Sequence, residues 1–510
     1  MYKLDQTKTP FVTALKKYVD RGSSQFDVPG HHLGNVKNDF QDVIGQNVYK
    51  YDVNAPRGLD MLLHPEGVIK KAQRLAADAF GADQAYFLVN GTSGGILAMF
   101  LATLDADDTI ILPRNCHKSV INALIISGAQ AEFIMPVIDP EMDIANQPSY
   151  EDYEKAILEH PEARAVFVIN PTYFGSVIDL ERIVDLAHDN GMLVLVDEAH
   201  GCHFYFDEKG PKSAMQCNAD ISVTSVHKMG GSLTQSSILM LKNGNVDKYA
   251  VTKSLQILTT TSPSNILLAS IDSARKNLAL KGQLELNEAK KLASYARHEI
   301  NKIEGFKCHG LTHFTECGSF NFDSTKLVIE LDNIALSGRQ VYNELYDKYN
   351  IQMELAETYV VLGLCTIGTK KISISNLIKA LKSLSRDHYK KDMKYPKVIY
   401  PQNKTVSVLR TRVAFNAPKK VIKLDDSLHT ISKGLIMVYP PGIPLIIPGE
   451  VFTQAIIDKI KYYYKSETKV ISDFKEGYVG IVDLTNFKDS YYSSDLETYY
   501  EMYKINRKKW

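Results

Sequence analysis

The chain has 510 residues, 45% of them hydrophobic, with Lys plus Arg and Asp plus Glu balanced at 59 each. That balance excludes a net field drawing the whole molecule to nucleic acid or an anionic membrane, and a length prior of ~150 residues per domain predicts roughly two to four folding units. No stretch reaches the ~18 apolar residues of a membrane span, residues 2–17 lack the apolar core of a secretory signal, and the six irregularly spaced cysteines read as reduced thiols, so a cytoplasmic protein with a small ligand is expected.

From Pro65 the pattern alternates between helical periodicity and short β-branched runs, as in an open α/β sheet. Residues 65–80 carry apolar side chains at 68, 69, 72, 75, 76 and 79 and predict a helix. Strands are predicted over 86–89, 109–112, 132–135, 165–169, 193–196, 221–226 and 237–241, a mostly parallel seven-stranded sheet with helical stretches such as 180–189 between the earlier runs. A helical region including 283–303 follows. Beyond it a smaller α+β region is predicted, with strands at 326–331 and 360–365 and a helix at 337–349. The expected division is an N-terminal arm over 1–60, a large domain over 61–300 and a C-terminal α+β region over 301–510. The apolar segment 434–449 contains Pro440, Pro441, Pro444 and Pro448 and cannot be a spanning helix. The last fifty residues are rich in tyrosine and charge and carry no recognisable chemistry.

The chemistry concentrates at predicted strand ends. Lys228, in Ser225-Val226-His227-Lys228 followed by Met229-Gly230-Gly231, stands 31 residues after Asp197 of Asp197-Glu198-Ala199-His200-Gly201. A lysine and an acid so placed are the groups that hold pyridoxal phosphate: the amine joins the aldehyde, and the acid keeps the pyridine nitrogen protonated. Alone, a lysine is usually a solvated charge and Asp197 a helix cap; the pairing overturns both readings. Asn90-Gly91-Thr92-Ser93-Gly94-Gly95 leads from a strand into a helix and offers N–H groups and hydroxyls to an anion, although a ligand-free capping turn fits as well. His117, in Arg114-Asn115-Cys116-His117-Lys118-Ser119, presents a ring that could stack on the pyridine or cap the next helix.

Competing readings rest on less. His200, Cys202 and His203 offer too few ligands for a zinc site, so no metal is expected. Asp197-Glu198-Ala199-His200 spells the acidic box of a DEAH-box nucleic-acid ATPase, but no GxxxxGK[ST] loop is present, nor any Gly-Lys dipeptide. An aminotransferase would share the cofactor residues and add an arginine for the α-carboxylate, for which Arg410 and Arg412 are candidates.

With these motifs, and with Val28-Pro29-Gly30-His31, Gly58-Leu59-Asp60, His64-Pro65-Glu66-Gly67, Thr259-Thr260-Thr261-Ser262-Pro263, Tyr439-Pro440-Pro441-Gly442-Ile443-Pro444 and Pro448-Gly449-Glu450 in the same order, the chain resembles the Orn/Lys/Arg decarboxylases. The resemblance implies a fold-type I pyridoxal-phosphate enzyme that decarboxylates a basic amino acid, with arginine preferred over lysine or ornithine, feeding polyamine biosynthesis. It implies Lys228 as the Schiff-base lysine, Asp197 at the pyridinium nitrogen, His117 on the ring and His200 near the cofactor. Gly91, Thr92, Ser93, Ser225 and His227 would hold the phosphate, and Thr260 would reach the neighbouring subunit's cofactor in a homodimer. The matching region starts near residue 9, which implies the short form without an N-terminal receiver-like domain. Glu450 is the candidate acceptor for the substrate's distal cation, with a helix-capping role as the alternative. His32, Asn54-Ala55-Pro56 and Val438 depart from the family pattern and bear on substrate identity.

Overall fold

A computed structural model describes residues 2–391, 405–439, 443–465, 469–487 and 503. The central sheet consists of β1 (Gln84–Leu88), β2 (Thr109–Pro113), β3 (Gln130–Ile134), β4 (Ala165–Ile169), β5 (Leu193–Asp197), β6 (Ile221–Thr224) and β7 (Ser237–Leu241). Their order across the sheet is β1-β7-β6-β5-β4-β2-β3. Only β7 runs against its neighbours, β1 and β6; the others point one way. All seven expected strands are present. The sixth is shorter than expected because residues 226–229 turn into a helix, Val226–Met229, so Lys228 sits on that turn and not on the strand.

The strands are buried because helices cover both faces, which explains why they read as continuous apolar runs. Leu180–Asp189 buries Leu180, Ile183, Val184 and Ala187, the i, i+3, i+4, i+7 stripe of a surface helix. Gly91–Thr103 lies close against the sheet: a Cβ on Gly95 would come 2.5 Å from Val223 Cγ2 and 2.8 Å from Leu88 Cδ1, so no larger residue fits without displacement.

The predicted helix at 283–303 is the second half of a 36-residue helix, Asn265–Ile300, about 54 Å long at ~1.5 Å per residue. Its first part packs Leu268, Ile271 and Leu278 into the core of the large sheet. Ala293, Ala296 and Ile300 at its end belong to a second core under a four-stranded antiparallel sheet. That sheet contains β8 (Phe306–His309), β9 (Lys326–Leu331), β10 (Leu355–Ala356) and β11 (Val360–Leu364), in the order β10-β11-β9-β8. The helix Gly338–Tyr349 begins with a capping box, Ser337 paired with Gln340.

The N-terminal helix Pro10–Asp20 is tied to the long helix by buried polar contacts. Asp272 accepts from Phe11 N at 3.0 Å, while Arg275 donates to Gln6 O at 2.9 Å, Lys8 O at 2.6 Å and Asp272 at 2.6 Å. Further on, Lys419–Lys423 pairs with Tyr478–Val482, and Ile436–Tyr439 lies between Ile443–Ile446 and Lys469–Ser472. These strands were not predicted. Of the sequence features noted above, Pro440, Pro441, Gly442 and most of the tyrosine-rich tail lie outside the described residues.

Candidate active site

The sheet brings the sequence motifs to one end. β5 finishes at Asp197, paired in parallel with Val223 of β6, so the acid and the lysine-bearing segment leave the sheet side by side. The carboxyl ends of β1 and β2 deliver Asn90-Gly91-Thr92-Ser93 and Arg114-Asn115-Cys116-His117 to the same edge. This is where open α/β sheets bind ligands. A cavity of about 90 Å³ results, lined by Thr92, Asn115, His117, Tyr173, Asp197, His200 and Lys228, among others.

Lys228 loses its proton far more readily than an exposed lysine. Burial is the main cause of a pKa lowered to about 8, Asp197 opposes it, and Lys326 adds to it. The Nζ atom lies 2.9 Å from His200 Nε2 and 5.6 Å from the centre of the Tyr173 ring. The His200 ring packs against Tyr173 with centroids 4.3 Å apart. Burial and the two lysines push His200 well below the usual histidine range, so the imidazole is neutral.

Asp197 is 5% exposed, and burial raises its pKa despite the Ala199 N–H donated to it at 2.9 Å and the charge of Lys228. A buried carboxylate with so little compensation is suited to a cationic partner, which a pyridinium nitrogen would supply. His117 is likewise neutral, its pKa lowered to about 4 by burial and then by Lys228 and Lys118. The capping reading of this residue holds, since its Nδ1 accepts from Ser119 N at 3.2 Å and caps the helix Lys118–Ser127; its ring also lines the cavity.

The other end of the site suits an anion. Gly91 has φ +73°, a conformation that favours glycine, and opens Gly91–Thr103, whose first N–H groups lack intrahelical partners. Ser225 Oγ lies 3.4 Å from Thr92 Oγ1, bringing the two hydroxyl-bearing loops together. Ser93 follows on the helix, half-buried. His227 Nδ1 donates to Ser236 O at 2.9 Å, which fixes the ring and leaves Nε2 available. Amine, acid, ring and anion-binding hydroxyls together fit pyridoxal phosphate.

Two sequence candidates lie elsewhere. Thr260 is exposed, accepts from Ser262 N at 3.1 Å and does not line this cavity. Glu450 requires a correction: its carboxylate is fully buried and already saturated. Arg114 donates to it at 2.5 and 2.8 Å, Thr405 at 2.5 Å and Ile447 N at 2.9 Å, so it has no capacity left for a substrate cation. Arg410 and Arg412 are equally remote from Lys228. Arg410 pairs with Asp107 at 2.7 Å, and Arg412 Nε donates to Ile125 O at 2.7 Å. The group His200, Cys202 and His203 does not converge, since His203 turns to Asp323 at 3.1 Å.

The sequence reading missed four residues. Tyr173 follows a strand end like the others but has no motif around it. Lys326 opens a strand buried along its whole length, and a lysine in such a run was the one available signal. Asp143 and Glu357 line an adjoining cavity of about 110 Å³ that shares Asn115, Ala145 and Phe174 with the first. Burial raises Glu357 to about 8, helped by Asp143 and opposed by Arg339. Burial also raises Asp143 to about 6, with Lys459 opposing and Asp139 contributing.

The family model described as Orn/Lys/Arg decarboxylase, major domain, matches residues 9–373, and the model of that family's C-terminal domain matches residues 389–478. The arginine decarboxylase of Bacillus subtilis (strain 168) is 43% identical over 466 residues, 91% of this chain and 94% of that protein. Among solved structures, the Francisella novicida lysine decarboxylase LdcF superposes with a TM-score of 0.80 at 20% identity, covering 93% of this chain and 81% of the other. The Sphingomonas wittichii serine palmitoyltransferase superposes at 0.54 and 16% identity, covering 75% and 85%. These two likenesses establish the fold, that of the fold-type I pyridoxal-phosphate enzymes.

Proposed function

Because the chain belongs to the Orn/Lys/Arg decarboxylase family, we propose that it removes the α-carboxyl group of a basic L-amino acid, arginine foremost, releasing CO2 and the corresponding amine. The observation that carries this reading is the pairing of two chambers: Lys228, its pKa lowered, with Asp197 in one, and the carboxyl groups of Asp143 and Glu357 in the next. Such a site accepts a molecule with an α-amino acid head and a cationic tail.

Pyridoxal phosphate, when bound, supplies a sink for the electron pair left at Cα as CO2 departs. Lys228 would carry its aldehyde carbon, and Asp197 would keep a proton at its ring nitrogen. Thr92, Ser93, Ser225, His227 and the helix N–H groups that follow Gly91, whose own N–H is donated to Gln235 O at 2.8 Å, would hold its phosphate, with His117 against its ring. Asp143 and Glu357 take the substrate's distal cation. With its pKa raised to about 8, Glu357 sheds a proton as the cation arrives near neutral pH, which couples substrate affinity to pH, whereas Asp143, at about 6, is mostly ionised there already. Tyr173, Phe174 and Ile169 screen the reacting carboxylate from water.

In this reading the working unit is a homodimer, with Thr260 on an exposed loop reaching the neighbouring cofactor, and the product enters polyamine synthesis in the cytoplasm. Incubation with carboxyl-labelled arginine, lysine and ornithine tests the reaction. Release of labelled CO2 from one of the three is expected, and release from none refutes it. Lys228→Ala should abolish the yellow absorbance of cofactor joined to lysine; full retention would overturn the assignment of Lys228.

A further inference from the structure

A second lysine lies one imidazole ring away from the first. Lys326, at the start of β9, has no solvent exposure, and its Nζ lies 3.2 Å from His200 Nδ1. The opposite nitrogen of the same ring, Nε2, lies 2.9 Å from Lys228 Nζ. The three side chains form one hydrogen-bonded chain from the small sheet to the cofactor lysine. Nothing in the deduced chemistry yet requires Lys326, and a wholly buried lysine is rare unless paired.

A neutral imidazole carries one proton, so the two lysines cannot both donate to it. Lys326 has a carboxylate on its other side: Asp323 lies 3.9 Å from it, 2% exposed and itself held by His203 at 3.1 Å and Thr325 at 2.6 Å. Asp323 stays ionised, because His203, Lys326 and Thr325 outweigh the effect of its burial. Asp323 and Glu354 oppose the lowering that burial imposes on Lys326, and with that carboxylate beside it Lys326 is assigned as the cation that donates to Nδ1. His200 must carry its proton on Nε2 and donate it to Lys228 Nζ, which accepts with its lone pair.

We infer that Lys326 is a positioning residue for the decarboxylation: acting through His200, it orients the Nε2 proton so that Lys228 is presented as a free, unprotonated amine. That is the form in which the lysine captures the cofactor, and to which it returns when substrate displaces it. The inference rests on the reading of Lys228 given above. Asp197 and Glu354 favour charge on Lys228 and are outweighed by burial and Lys326. His203 and His227 add to the pressure that keeps His200 neutral.

The test is the pH dependence of Lys228 labelling by acetic anhydride in the full-length protein freed of cofactor, read by mass spectrometry. Lys326→Met should move the midpoint upward by nearly two units, the effect of removing a unit charge ~7 Å away at an effective dielectric of ~20. Cofactor capture near pH 7 should then slow by about fiftyfold. His200→Asn breaks the chain but leaves the Lys326–Asp323 pair intact, so it serves if the first variant does not fold; it too should raise the midpoint. An unmoved midpoint in a folded variant of either kind overturns the inference. If Lys228→Ala protein still turns yellow with pyridoxal phosphate, the reading of Lys228 fails first and the relay with it.

Discussion

Glu450 provides the sharpest separation between a structural and a substrate-binding acid. Replacing it with alanine removes an acceptor that has no exposure and leaves the Arg114 guanidinium, 5% exposed, without its partner. The charge cannot escape by titration, because arginine stays protonated. Breaking a buried ion pair from one side costs about 3–5 kcal/mol, while replacing both partners with apolar residues of similar volume is often close to neutral. The Thr405 and Ile447 contacts are lost as well, and they join the same segment. Glu450→Ala is therefore expected to lower the urea midpoint of the region around residues 405–487 by roughly 1–2 M, for a slope of ~2–3 kcal/mol/M. The double change Arg114→Met with Glu450→Met should recover most of that loss. The assay is urea unfolding followed by far-ultraviolet circular dichroism and by proteolysis of the C-terminal strands, with steady-state kinetics run alongside. A Glu450→Ala protein with an unchanged midpoint but a KM for the basic amino acid raised a hundredfold would refute the argument and restore Glu450 as the substrate's acceptor.

Two further outcomes follow from the buried acids. Glu357→Gln, which retains the shape but not the charge, should raise KM for the preferred amino acid by about tenfold to a hundredfold, the effect of losing one charge-assisted contact of ~1.5–3 kcal/mol, with cofactor binding unchanged; a kinetic titration shows this, and an unaltered KM would remove Glu357 from the substrate site. Glu198 is fully buried, accepts from Ala214 N at 2.8 Å, bonds to Tyr205, and has a pKa raised by burial to about 8. The folded state thus holds a proton that the unfolded chain has lost, so stability is fully present below about pH 4.5 and declines, by about 1.4 kcal/mol per unit, as pH rises towards 8. Glu198→Gln mimics the protonated acid and should be more stable than the parent by a margin that widens from pH 5 to 8; a margin independent of pH would show that Glu198 does not titrate in this range.

Much of this molecule was written in local sequence. Seven apolar runs separated by amphipathic stretches specify a covered, mostly parallel sheet, because strands buried on both faces have no other composition available. The ends of those strands carry Asp197, Lys228, His117 and the Gly91 turn, and a parallel sheet places such ends together whatever the details of packing. The candidate site was legible for that reason. The strands at Lys419–Lys423, Ile436–Tyr439 and Tyr478–Val482 were not, since they are short and pair through distant segments.

What the fold alone decided are the contacts between charges far apart in the chain. Glu450 stands beside a motif and looks available; only folding brings it 2.5 Å from Arg114, 336 residues away. Lys326 reaches His200 across 126 residues, and Asp143, in the loop beyond β3, interacts with Glu357, which follows Leu355–Ala356 of the small sheet. Backbone preference and hydrophobic period are properties of neighbours along the chain, so a sequence displays them directly. The charge state of a buried group depends on desolvation and on partners supplied by other elements, and these exist only once the chain has closed around it.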